Sequence, residues 1–253
     1  MCGIAGVYYF NDSADNNKTE YYLKTLLKSI SHRGPDDQGY ASYEACSIGI
    51  VRLSIIDIPT GHQPIFSSDG RYSIVYNGEI YNYQSIKNSL IEDDIKFETN
   101  SDTEVLLKGY IKYGKDILHM LDGMFAFCIY DSKLHNLFIA RDRLGKKPLY
   151  YYSDKEKLIF CSEVDAFTQL DELTLTHNRQ AYWDYLTYRY IPGEETSYGQ
   201  IKKFGRGQFS LISSQEIKTE RYWNIPHTHS NNPPTANKFG ELFADAVKKR
   251  LIS

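Results

Sequence analysis

Between Gly3 and Cys161 the chain returns again and again to short runs of apolar, β-branched and aromatic residues closed by Gly, Pro, Asp, Asn or Ser. These runs are Gly3 to Phe10, Cys46 to Ile56, Tyr72 to Tyr76, Phe125 to Tyr130, Leu137 to Arg141, Pro148 to Tyr152 and Leu158 to Cys161. Each is too short for a stable helix and reads as a buried strand. Segments with helical spacing lie among them. Tyr22, Leu23, Leu26, Leu27 and Ile30 give an amphipathic helix over 18–30, and further helices are expected at Tyr83 to Ile91, from Val105 through Leu106 and Tyr110, and over 179–188. Strands in clusters with helices beside them predict a mixed α and β layered domain. No internal repeat is present, which removes repeat folds.

Composition narrows the function classes. The chain has 253 residues, 29 Lys and Arg against 32 Asp and Glu, and a formal charge of −3, so no basic field is available for nucleic acid. No apolar run reaches the length of a bilayer crossing. The apolar start ends in Phe10-Asn11-Asp12-Ser13 and has neither the basic flank nor the cleavage site of a secretory signal. Cysteines at 2, 46, 128 and 161 form no CxxC pair and no zinc spacing, so a metal site is not expected and a reducing, cytoplasmic location is.

The character changes after Pro192-Gly193. Gln208 to Ile212 and Ile217 to Trp223 predict a hairpin across Ser213-Ser-Gln-Glu216, and His227 to Pro234 reads as a linker. Phe239, Leu242, Phe243, Ala246, Val247, Arg250 and Leu251 then follow helical spacing with a full apolar face. The expected organisation is one domain over 1–191, a hairpin and linker over 192–234, and the first helix of a second domain over 235–253.

The chemistry begins at Met1-Cys2-Gly3. Removal of Met1, which a small second residue permits, would leave Cys2 with a thiol and a free α-amine on one residue. The amine (about 7.7–8.0 when unperturbed) is close enough to a thiol (about 8.5) to take its proton near neutral pH. That is the nucleophile with its own base known for N-terminal threonine. Taken alone, Cys2 reads more readily as a small buried hydrophobe than as a nucleophile. Four further pieces follow in order: His32-Arg33-Gly34-Pro35-Asp36-Asp37, Arg52-Leu53-Ser54-Ile55-Ile56-Asp57, Tyr76-Asn77-Gly78-Glu79-Ile80-Tyr81-Asn82 and Ser101-Asp102-Thr103-Glu104. Gly61-His62-Gln63-Pro64, Gly123-Met124-Phe125-Ala126-Phe127 and Arg141-Asp142-Arg143-Leu144-Gly145 add to them.

In joint order and spacing this set closely resembles the class II glutamine amidotransferases, and among them the glutaminase domain of glutamine-hydrolysing asparagine synthetases. The resemblance runs from Cys2 to about Arg189 and more loosely through the hairpin, where Phe204-Gly205-Arg206-Gly207 replaces the family's Pro-Gly. It implies an α+β fold, the four-layer αββα sandwich of N-terminal nucleophile hydrolases. It implies that Cys2 attacks the side-chain amide of glutamine and forms a thioester. Asn77 and Gly78 would form the oxyanion hole, although Asn-Gly is also the strongest hairpin signal. Arg52 suits the substrate α-carboxylate, because a guanidinium grips two oxygens. Asp102, and Glu79 beside it, suit the α-ammonium. Asp102 also reads as part of a helix cap, but Ser101 and Glu104 have capping-box spacing and would leave it free. His32 is expected to order a loop.

The glutaminase half needs no cofactor. The resemblance places ATP and magnesium in a synthetase domain, through a Ser-Gly-Gly-x-Asp-Ser loop that this chain lacks; Leu144-Gly145-Lys146-Lys147 is an incomplete P-loop. The partners implied are glutamine and the chain's own synthetase domain, without nucleic acid or membrane; a homodimer is compatible. The alternatives are an amidotransferase for another acceptor such as a sugar acid, a glutamine-binding module without catalysis, and a structural partner that docks through the last helix.

Overall fold

Residues of period two in these strands are apolar on both alternating sets, a pattern that needs cover on both faces of a sheet. A computed structural model, which describes residues 1–10, 16–53, 61–226 and 233–251, supplies that cover. In chain order the elements are β1 (Gly3–Tyr9), α1 (Asn16–Ser29), a short turn of 3-10 helix at Ser31–Arg33, β2 (Asp37–Ser42), β3 (Cys46–Arg52), β4 (Ile65–Phe66) and β5 (Tyr72–Ile80). Next come α2 (Tyr83–Glu92), α3 (Asp102–Tyr113), α4 (Ile117–Met120), β6 (Gly123–Asp131), β7 (Asn136–Arg141), β8 (Tyr150–Ser153) and β9 (Lys157–Cys161). The last are α5 (Arg179–Tyr188), β10 (Ile201–Lys203), β11 (Gln208–Ile212), β12 (Ile217–Arg221) and α6 (Ala236–Lys249).

The strands form two six-stranded sheets, ordered β10-β8-β9-β1-β3-β2 and β12-β11-β7-β6-β5-β4, with antiparallel ladders. Ile4 and Tyr8 of β1 meet Val75, Ala126, Cys128 and Tyr130 between the sheets. The alternate set in β1, Ala5, Val7 and Tyr9, packs outward with Leu23, Leu26 and Leu27 of α1. In the facing sheet Phe125, Phe127 and Ile129 turn outward to Val105, Leu106 and Leu107 of α3. Three apolar interfaces therefore separate four layers, helix, sheet, sheet and helix. Each fully buried Leu, Ile or Phe contributes on the order of 1.5–3 kcal/mol of transfer free energy to them. Gly6 is required by close approach, because a Cβ there would stand 2.3 Å from the Phe160 ring.

Two expectations change. Residues 201–221 do not stand between domains: β10 pairs with β8, and the hairpin β11–β12 extends the second sheet through β7. The sandwich thus passes the expected boundary at 191. Strands β2, β4 and β10 were not expected either. β2 alternates half-buried and exposed residues along a sheet edge, so its sequence carries turn-like Gly and Asp. Ser54 to Asp57, which includes the end of the second strand-like run, His227 to His229 in the linker, and the final Ile252 and Ser253 lie outside the described residues.

Candidate active site

Four chain segments end at one rim of the sandwich. Gly3 opens β1 and pairs with Val51 of β3, which sets Cys2 beside Arg52 at the ends of neighbouring strands. Across the sandwich, the second half of β5 carries Asn77, Gly78 and Glu79. α3, packed on β5, starts at Asp102. All six residues line one pocket of about 220 Å³, together with Met1, Gln63, Tyr76 and Lys147. That is smaller than the roughly 300–1,000 Å³ sites of drug-sized ligands and suits an amino acid.

Cys2 is half-buried, and its sulfur lies 3.6 Å from the Leu53 carbonyl oxygen. Its backbone carbonyl accepts from Arg33 Nε at 3.0 Å. Arg33 Nη1 in turn donates to Glu163 Oε1 at 2.8 Å, and His32 Nε2 meets the same oxygen at 3.0 Å. Arg33 and Glu163 thus tie down the start of β1, while His32 touches Glu163 and does not line the pocket. The other cysteines, 46, 128 and 161, are buried, and burial pushes their thiols up.

Asn77 and Gly78 are not a hairpin turn. They sit inside β5, opposite Ala126 and Phe125 of β6. Glycine is needed at 78 because a Cβ would come within 2.5 Å of both the Met124 carbonyl oxygen and the Tyr76 ring. The Asn77 Nδ2 and Glu79 Oε1 atoms are buried without a hydrogen-bond partner among the described residues. Buried polar atoms are rarely left so, and two in one pocket point to a polar ligand that completes them.

Asp102 is not free, as the cap reading expects. Its Oδ2 accepts from the Tyr76 hydroxyl at 2.7 Å and from the Ile80 amide at 3.1 Å. Burial raises its pKa to about 6, against the pull of those two bonds. Ser101 does cap α3, accepting from Thr103 N at 3.1 Å, but Glu104 does not complete a capping box. Its carboxylate instead takes the amides of Glu98 and Thr99 and the Lys108 ammonium, and the Ser101 amide goes to Thr99 Oγ1.

Sequence reasoning assigned no role to Gln63, Tyr76 or Lys147. The Gln63 carboxamide stands in for a strand partner: its oxygen accepts from Tyr76 N at 2.7 Å, and its nitrogen reaches Tyr76 O at 3.2 Å and Thr103 Oγ1 at 3.3 Å. It locks β5 to the first turn of α3. The signal was Gly61-His62-Gln63-Pro64, which carried the resemblance but no chemistry. Among the described residues no group of three His, Cys, Asp or Glu side chains is placed to hold a metal, and no helix is long and apolar enough to cross a membrane.

Comparison with known proteins bears on this pocket. Residues 1–223 match the glutamine amidotransferase domain. A glutamine-hydrolysing asparagine synthetase 1 of Bacillus subtilis (strain 168) is 36% identical over 100% of this chain, and a putative asparagine synthetase 2 of Methanocaldococcus jannaschii is 34% identical over 100% of it. The chain spans only 40% and 53% of the lengths of those two relatives. Among solved structures, a glutamine phosphoribosylpyrophosphate amidotransferase from B. subtilis superposes with a TM-score of 0.65 at 21% identity, covering 88% of this chain and 49% of its own, which shows the shared fold. The αββα sandwich, the match over residues 1–223 and the relatives agree: the chain belongs to the glutamine amidotransferase domain family.

Proposed function

We propose that this chain hydrolyses glutamine to glutamate and ammonia, with Cys2 as nucleophile once Met1 is removed. The observation that carries this is the convergence of Cys2, Arg52, Asn77, Gly78, Glu79 and Asp102 on one amino-acid-sized pocket. Arg52 takes the substrate α-carboxylate, and Asp102 with Glu79 takes the α-ammonium, which fixes the side-chain amide near Cys2. The Cys2 thiol gives its proton to its own α-amine, and the sulfur forms a bond to the amide carbon. Charge then gathers on the amide oxygen, where the Asn77 carboxamide and the Gly78 N–H are available. One such donor is worth about 3 kcal/mol of barrier. The α-ammonium of Cys2 returns its proton to the leaving nitrogen, the C–N bond breaks and ammonia departs. Water adds to the thioester, glutamate leaves and the thiol reforms.

By likeness to the synthetases, the ammonia goes to an acceptor in a synthetase domain, with aspartate as the acceptor and ATP and magnesium to activate it. A sugar acid is the alternative acceptor. The glutaminase half itself is read as free of cofactors, cytoplasmic, and independent of nucleic acid and membrane; a homodimer is compatible with it.

One observation favours a second reading. Met1 lines the pocket, and while it is attached the Cys2 nitrogen is an amide with no base to offer. In that form the chain is a glutamine-binding module. Intact mass and glutamate release on one preparation separate the two, with Cys2→Ala beside it. Chain lacking Met1 should release glutamate, and Cys2→Ala should abolish it. Processed, folded chain that binds glutamine and releases none would establish the module instead.

A further inference from the structure

Lys147 is a lysine where a solvated one is expected, since it follows Gly145-Lys146 in a loop, yet it is only 6% exposed and lines the pocket with Cys2 and Glu79. The loop that delivers it is tightly held. Asp142, itself buried, accepts the amides of Phe125, Leu144, Lys146 and Lys147 at 2.9–3.2 Å. Arg141 donates to the carbonyls of Lys147 at 2.7 Å and Gly145 at 2.8 Å, and also to that of Phe204. Gly145 takes the left-handed conformation, φ +67°, that lets the loop turn. The Arg141-Asp142-Arg143-Leu144-Gly145 segment, which no step of hydrolysis uses, thus fixes where the Lys147 side chain goes. Its ammonium has no hydrogen bond or ion pair among the described residues. Burial pushes its pKa down, and the nearby Cys2 and Glu79 act against that.

The charges facing the pocket can be matched one by one. From the 3-10 turn, Arg33 is paired with Glu163. From β3, Arg52 meets the substrate carboxylate; from β5 and α3, Glu79 and Asp102 meet the substrate ammonium. Asp142 is occupied by its loop amides. With glutamine bound, Lys147 is the side-chain cation of the pocket left without a partner among the described residues.

We propose that Lys147 is a positioning residue for Cys2: its ammonium, held in the pocket by the Arg141–Asp142 loop, supplies the positive field under which the Cys2 sulfur reacts as thiolate. This deepens the glutaminase reading above and rests on it. Lys147 keeps its own protons throughout; the thiol proton still passes to the Cys2 α-amine. A neighbouring cation favours the charged form of a thiol, and the expected effect is about tenfold in thiolate-dependent rate at neutral pH.

The test uses chain shown by mass to lack Met1, and iodoacetamide, whose lack of charge removes attraction of the reagent. Alkylation of Cys2 is followed across pH in wild type, Lys147→Met, Lys147→Gln and Lys147→Arg, with thermal unfolding of each to establish that it is folded. The proposal expects both neutral variants to react about tenfold more slowly at pH 7 and to regain the rate at higher pH, and Lys147→Arg to keep most of it. A folded neutral variant that alkylates at the wild-type rate throughout overturns it. So does a loss in Lys147→Met and Lys147→Gln that higher pH does not restore, which would mark a steric role. Because alkylation needs no turnover, the glutaminase reading can fail separately: wild type that alkylates normally but releases no glutamate loses that reading while the variants still decide on Lys147.

Discussion

Helices α3 and α6 share a design and differ in fate. Each is amphipathic and each begins at a hydroxyl cap, Ser101 accepting from Thr103 N and Thr235 from Lys238 N. α3 buries Thr103, Val105, Leu106 and Leu107 against the second sheet, and its first residue enters the pocket. α6 buries nothing among the described residues: Phe239 and Phe243 are each 63% exposed. Its attachments are the Lys249–Asp122 pair at 3.3 Å and the Arg250 guanidinium over the Tyr81 ring at 4.8 Å. Amphipathic spacing states that a face is made to be covered, and says nothing of what covers it. For α3 the cover is a sheet of the same domain, and a pocket-lining carboxylate comes with it.

The contrast can be broken most directly by truncation. Leu106→Ala in α3 should destabilise the chain by about 3 kcal/mol, whereas Leu242→Ala in α6 should stay within about 0.5 kcal/mol, both read by urea unfolding. Equal losses would show that α6 is packed in solution. Next in size, Asp102→Asn should weaken use of glutamine about 30- to 100-fold in kcat/KM, as expected when one side of a buried charge pair is removed, with little change in unfolding. Leu242→Ala should leave kcat/KM unchanged. If Asp102→Asn retains wild-type kcat/KM, the α3 terminus is structural like the rest of the helix.

The smallest effect concerns pH. Burial raises the Asp102 pKa to about 6, so the carboxylate proposed to hold the α-ammonium forms only as pH rises through that value. The acid limb of kcat/KM should therefore fall there. Tyr76→Phe, which removes a bond to the ionised form, should move the limb upward by about one pH unit. The stability sign is the reverse of the usual carboxylate case. Because the folded value lies above the ordinary carboxyl value near 4, this contribution is fully present below about 4 and is lost as pH rises through about 6. A limb that Tyr76→Phe leaves in place would detach it from Asp102.

Much of this was legible in the residues, for physical reasons. Strands apolar on both faces, such as β1 and β6, announce themselves because every position is constrained. The polar edge β2 and the three residues of β10 do not, because pairing rather than composition makes them strands. The pocket residues were legible through resemblance, yet their settings were not. Asn77-Gly78 looks like a turn until β6 is seen beside it, and Glu104 looks like half of a capping box until Glu98 and Thr99 compete for it. Lys147 was hidden altogether, since burial of a lysine depends on long-range contacts that a Lys-Lys pair does not advertise.

The nine-residue pairing of β5 with β6 also bears on how such a chain can change length over evolution. Val75 faces the inter-sheet core and Tyr76 the helices, and the Asn77 carboxamide is held by the same alternation. One residue gained or lost between Tyr72 and Asn77 would exchange those faces and move the pocket by a step, short of a β-bulge that takes up the extra residue within the strand. The turn at Ser67 to Gly70 is different: a Cβ on Gly70 meets nothing within 4 Å, so this turn has open space around it. Lineages should record their insertions in that turn and keep the strand beyond it at constant length, so that β5 serves as a ruler against which distant relatives can be aligned.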